Sequence, residues 1–176
     1  MDQDDAIDWT HKIVDLRDRR DFRRQADTAE CARLSDVFGE AECRSLAANY
    51  TIVPFAPGRC RVSGSITARL ELICGVTLDP IEQRIEEEFD IEFRSDARRS
   101  NDLELDFDAF GDDDPEPIEH GLIRVGRLIC EIVASAIDPF PRADDAELEQ
   151  TEVGAARSTN NPFAVLSQLK PDRKPN

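Results

Sequence analysis

Histidine is nearly missing from this chain of 176 residues, which has only His11 and His120. A mechanism that pairs a nucleophile with an imidazole base has little to draw on. No GxGxxG, no GxxxxGK followed by Ser or Thr, and no GxSxG occurs, so phosphate-cradling loops and a nucleophile elbow are excluded. No CxxC occurs either. The five cysteines stand at 31, 43, 60, 74 and 130 without a pairing rhythm, which fits reduced thiols in a cytoplasm and leaves a zinc site without a spacing signature. Long apolar runs are also lacking. The most apolar helical stretch, "GLIRVGRLICEIVASAID", is broken by Arg124, Arg127 and Glu131, so no membrane span is expected. The opening "MDQDDAIDW" lacks the apolar centre of a signal peptide. Enzymatic function, cofactor, metal and small-molecule substrate are not expected.

Positive charge is scarce. Lys and Arg total 22 against 38 Asp and Glu, for a net charge of −16. Such a chain repels nucleic acid and anionic membrane broadly, and it favours basic partners. The one strongly basic stretch is "RDRRDFRR", where Arg17, Arg19, Arg20, Arg23 and Arg24 stand against Asp18 and Asp21. It could touch RNA phosphates, although Phe22 alone is available for base stacking.

Periodicity gives the organisation. Residues 1–8 form an acidic extension, and "WTHKIVDL" alternates as a strand with Trp9, His11, Ile13 and Asp15 on one face. "DTAECARLSDVFG" reads as a helix capped by Asp27 or Thr28, with Glu30 three residues after Asp27 as in a capping box, an apolar stripe through Ala29, Ala32, Leu34, Val37 and Phe38, and Gly39 as its stop. Residues 46–55 alternate with Leu46, Ala48, Tyr50 and Ile52 in step. "CRVSGSITARLELIC" is the clearest strand, with Val62, Gly64, Ile66, Ala68, Leu70, Leu72 and Cys74 inward. "IEEEFDIEF" repeats the pattern with Ile85, Phe89, Ile91 and Phe93 inward, so these two runs form a long hairpin around "CGVTLDP".

A polar connection spans 94–120. It holds nine acidic and no basic residues between Asp102 and Glu119, with "LELDF" as an edge strand and "GDDDPEP" as loop. The acidic run at Asp112, Asp113 and Asp114 lacks the glycine and the glutamate of a calcium loop. A long amphipathic helix is predicted over 121–138, ended by "DPFPR". Residues 142–160 read as a disordered linker, 161–170 as a short helix capped by Asn161, and 171–176 as a tail. The fold class is α+β: a mostly antiparallel sheet of five or six strands, one long packed helix and one short N-terminal helix, within a domain of 9–141.

Cys74 sits in the inward series. Nearby negative charge discourages its thiolate, so it reads as a small core residue rather than a nucleophile.

"DTAECARLSDVFG", "YTIVPFAPGRCRVSGSITARLELICGVTLDPIEQRIEEEFDIEF", "GLIRVGRLICEIVASAIDPFPR" and "NPFAVLSQLK" together resemble the YceD family, in the form seen in alphaproteobacteria. The resemblance covers about residues 9–170. It implies a non-catalytic role in accumulation of the large-subunit (23S) ribosomal RNA. Some members carry a second cysteine at the hairpin tip; Thr77 takes that place here, so a metal or redox role is not carried over. The tip residues Cys74, Thr77, Leu78, Asp79 and Pro80 are a candidate contact surface.

Two kinds of partner remain open. One is a basic large-subunit ribosomal protein, held on Glu82, Glu86, Glu88, Asp90 and Glu92 together with Asp112, Asp113 and Asp114. The other is precursor 23S rRNA, bound through Arg17, Arg19, Arg20, Arg23 and Arg24 with Arg59, Arg61 and Arg69.

Overall fold

Alternation of apolar and polar residues along three strands of 15 residues each builds the sheet: β3 (Glu42–Ala56), β4 (Arg59–Ile73) and β5 (Pro80–Arg94). The structure is a computed structural model that describes residues 6–96 and 115–146. The chain divides into two units, Met1–Ala146 and Glu147–Asn176, and all described residues lie in the first. "LELDF", Asp112, Asp113, Asp114, the linker beyond Ala146, the 161–170 helix and the tail lie outside the described residues.

The fold is α+β. A five-stranded sheet has the order β2 (Arg20–Gln25), β3, β4, β5, β6 (Glu116–Pro117), antiparallel except for the β5–β6 pair. A separate two-stranded sheet joins β1 (Thr10–Lys12) to β7 (Leu122–Arg124). Helices α1 (Thr28–Phe38) and α2 (Val125–Ala136) accompany the sheets among the described residues.

Beyond a register shift between Cys43 and Ser45, β3 turns its even-numbered residues inward, as β4 does, and β5 turns in its odd-numbered ones, Ile85, Phe89 and Phe93. Leu46, Ile52, Val62, Ile66 and Leu70 are fully enclosed there with Ile123, Ile129 and Val133. Each such side chain contributes about 1.5–3 kcal/mol relative to exposure.

Asp27 caps α1 as expected, accepting from the Glu30 amide while the Glu30 carboxylate accepts from the Asp27 amide. The buried face of α1 differs from expectation. Cys31 and Leu34 are inside, whereas Ala29 and Ala32 face solvent.

Other boundaries also differ. The predicted strand over 9–16 is only β1, because a tight 3-10 turn follows at Ile13–Asp15 and leaves Val14 exposed. The second half of the basic stretch becomes strand β2, which among the described residues pairs only with β3. Part of "GDDDPEP" is strand rather than loop: Glu116 and Pro117 lie beside Phe93 and Arg94 at the sheet margin, where a proline is tolerated.

The second helix has 12 residues, not the 18 between Gly121 and Asp138. Its first expected turn is used by β7, which sends Ile123 into the core and pairs it with His11. The far end stops at Ala136 because Ile137 is extended ahead of Asp138 and Pro139.

Candidate functional site

The odd-numbered residues of β3 and β4 face the other way, together with the even-numbered residues of β5. They form a polar sheet face composed of cross-strand rows. One row is Arg23, Asn49, Ser65 and Glu88; the next is Asp21, Thr51, Ser63 and Asp90. Hydroxyl and amide groups therefore occupy the middle, with carboxylates along β5. Asn49, Ser63, Ser65, Glu88 and Asp90 border a shallow depression of about 490 Å³.

Glu82, Glu86, Glu88, Asp90 and Glu92 all project to this face, because they share one parity on a strand of period two. Glu82, Glu86, Glu88 and Asp90 are exposed, and Glu92 is half-buried. Three have cationic neighbours: Arg84 lies 2.7 Å from Glu86, Arg61 lies 3.3 Å from Asp90, and Arg59 Nε donates to Glu92 at 2.9 Å. Glu82 and Glu88 have no ion pair among the described residues. The two exposed pairs, on Glu86 and Asp90, are weak.

The arginines are distributed differently. Arg17 and Arg19 precede β2 in exposed positions, and Arg19 is bound to Asp21 at 3.3 Å. The same Asp21 carboxylate accepts from the Thr51 hydroxyl at 2.6 Å. Arg23 faces the polar sheet surface opposite Asn49, whereas Arg20 and Arg24 stand opposite the inward residues Ile52 and Ala48. Arg24 also interacts with the Tyr50 hydroxyl. Tyr50 stacks on Phe22 and lies 2.8 Å from His11 Nε2. Burial, followed by the Arg24 charge, lowers His11 to about 4. Arg61 and Arg69 lie on the polar face. Arg59 is half-buried and packs over Phe55.

At the hairpin tip, Cys74 has no exposed surface, but it is not part of the packed apolar core. Its sulfur instead receives the backbone N–H groups of Val76, Thr77 and Ala143, each at 3.4 Å. The Thr77 side chain is the largest influence, followed by the Thr77, Ala143 and Val76 amides, and together they hold the thiol at about 6. The burial of Cys74 is as expected from the inward series, whereas the lowered thiol differs from the expected effect of the acidic surroundings and comes from these local donors. The sulfur ties the tip to the chain beyond α2, as does the Gly75 amide on the Pro141 carbonyl at 2.8 Å. Leu78 adopts a positive φ of 64° and is exposed, and Thr77, Asp79 and Pro80 are exposed beside it. Among the described residues, no three His, Cys, Asp or Glu side chains converge as a metal site.

A family profile described as "Large ribosomal RNA subunit accumulation protein YceD" matches residues 62–170, more than half of the chain. The chain belongs to the YceD family. No curated protein and no solved structure matches it. The YceD match starts within β4 and takes in the hairpin tip, all of β5 and α2; the arginine strand β2 precedes it. The YceD description connects the chain to accumulation of the large ribosomal RNA subunit. No helix among the described residues is long and apolar enough to cross a membrane.

The sequence did not reveal the donors around Cys74, because they come from backbone at the tip and from Ala143, far along the chain. The hydroxyl rows had a signal, since Ser63, Ser65 and Thr67 alternate with inward Val62, Gly64 and Ile66.

Proposed function

We propose that this chain is a non-catalytic, cytoplasmic factor in large-subunit biogenesis that escorts a basic large-subunit ribosomal protein on the acidic face of β5. The observation that carries this reading is the shared parity of Glu82, Glu86, Glu88, Asp90 and Glu92, which gathers five carboxylates on one face. Strand β2 does the opposite with its arginines, dividing Arg23 from Arg20 and Arg24. A net charge of −16 adds long-range attraction for a basic partner. Ribosomal RNA carries a denser negative charge and competes for that partner, so holding and release follow from the same electrostatics. The exposed tip residues Thr77, Leu78, Asp79 and Pro80 add a contact beside the carboxylates, with no metal or cofactor required.

Capture of partners from cell extract by the tagged chain at low salt, with and without RNase, tests the reading. A basic large-subunit protein retained after RNase supports escort. Loss of every ribosomal component on RNase treatment replaces it with direct binding to precursor rRNA through the arginines.

A further inference from the structure

Cys31 and Cys43 come from different elements, the first turn of α1 and the start of β3, and one hydroxyl joins their backbones. Ser35 Oγ donates to the Cys31 carbonyl at 3.0 Å and accepts from the Cys43 amide at 2.8 Å. The two thiols are neighbours close enough for Cys31 to act on the Cys43 proton. Both border an open cleft of about 420 Å³, which Gln25, Thr28, Ser35 and Arg44 also line. A third thiol, Cys130, acts on Cys43 from the core side, but it is fully enclosed and does not line the cleft.

We propose that Cys31 and Cys43 form an oxidisable dithiol, closed to a disulfide by a low-molecular-weight disulfide that enters this cleft. Cys31 Sγ, as thiolate, attacks one sulfur of the small disulfide. A sulfur–sulfur bond forms at Cys31, the small disulfide's own bond breaks, and the departing thiolate takes up the proton that Cys31 lost. Cys43 Sγ then attacks Cys31 Sγ, forms the protein disulfide and expels the second small thiolate, which takes the Cys43 proton. The protein pair loses two electrons and the small disulfide gains them. Burial comes first, then the charge and hydrogen bond of Cys31, in pushing the Cys43 thiol up to about 12. The mixed disulfide on Cys31 precedes closure. The product staples α1 to the start of β3 and closes the cleft.

The test incubates the reduced full chain with oxidised glutathione, alkylates the remaining thiols and maps tryptic peptides by mass spectrometry. Cys31 lies in peptide 25–33, Cys43 in 34–44 and Cys130 in 128–142, so each pairing has its own mass. The expected product links 25–33 to 34–44, forms faster at higher pH and reverses with reductant. Cys43→Ser should stop at glutathione on Cys31, and Cys130→Ser should still form the cross-link. A wild-type chain that stays fully reduced, holds glutathione on Cys31 without closing, or links Cys43 to Cys130 overturns the proposal.

Discussion

Tyr50 and Gly64 face each other across β3 and β4 so closely that a β-carbon on Gly64 would stand 2.7 Å from the Tyr50 Cα and 2.3 Å from the Asn49 carbonyl oxygen. Both obstacles include backbone, which cannot swing aside. The inward row Phe22, Tyr50, Gly64 and Phe89 thus places a glycine between aromatic side chains. Gly64→Ala should destabilise the fold by about 1–3 kcal/mol through overpacking, measured by urea denaturation. An unchanged midpoint would show that the two strands separate at little cost.

Gln83 closes the end of α2 from the neighbouring sheet. Its Nε2 donates to the Ala136 carbonyl at 2.9 Å, and its Oε1 accepts from the Asp138 amide at 3.1 Å. Gln83→Ala should cost about 1–2 kcal/mol, since two backbone groups at the helix end lose their partner. Hydrogen exchange should show faster opening at 136–138 with the sheet amides unaffected.

Cys74 should make stability depend on pH. Its folded thiol lies at about 6 against an ordinary value of 9. Between these values the native state has released a proton that the unfolded chain keeps, so the stabilisation grows as pH rises and is lost as pH falls toward 6. Denaturation of reduced wild type and Cys74→Ala should therefore diverge from about pH 6 to about pH 9. Parallel curves would remove the donors around the sulfur from the account.

His11 acts in the acid range. Its folded value is about 4 against 6.5, so in that interval the unfolded chain binds a proton that the native state refuses. Its share of stability is intact above 6.5 and falls as pH drops toward 4. His11→Gln should lose less stability than wild type over the same acidification, and a steeper loss in the variant would contradict the assignment.

The sequence made the strands legible because β3, β4 and β5 each keep one face buried for 15 residues. Inward Leu46, Val62, Ile85 and Phe93 can be read directly from that period. The Asp27 and Glu30 cap was equally legible, since both partners lie within one helical turn. The first turn of the 121–138 helix was not, because Leu122 and Ile123 fit a helical stripe as well as a strand, and only pairing with β1 decides. Within the candidate site, the shared parity of the β5 carboxylates follows from sequence. The division of the arginines required knowing that "RDRRDFRR" enters a strand, and the apposition of Cys31 with Cys43 required knowing how α1 meets β3.

The most direct measurement is the affinity of the purified chain for a basic large-subunit ribosomal protein as a function of salt, for wild type and two charge variants. Screening shortens the reach of exposed charges from about 10 Å at 0.1 M to about 3 Å at 1 M, so wild-type binding should weaken steeply. Glu86→Gln combined with Glu88→Gln and Asp90→Asn should lower affinity by roughly tenfold or more and flatten the salt dependence. Arg20→Gln combined with Arg23→Gln should leave binding intact. Salt-insensitive binding, or loss of binding in the arginine variant with the carboxylate variant unaffected, would contradict the acidic face of β5 as the escort surface.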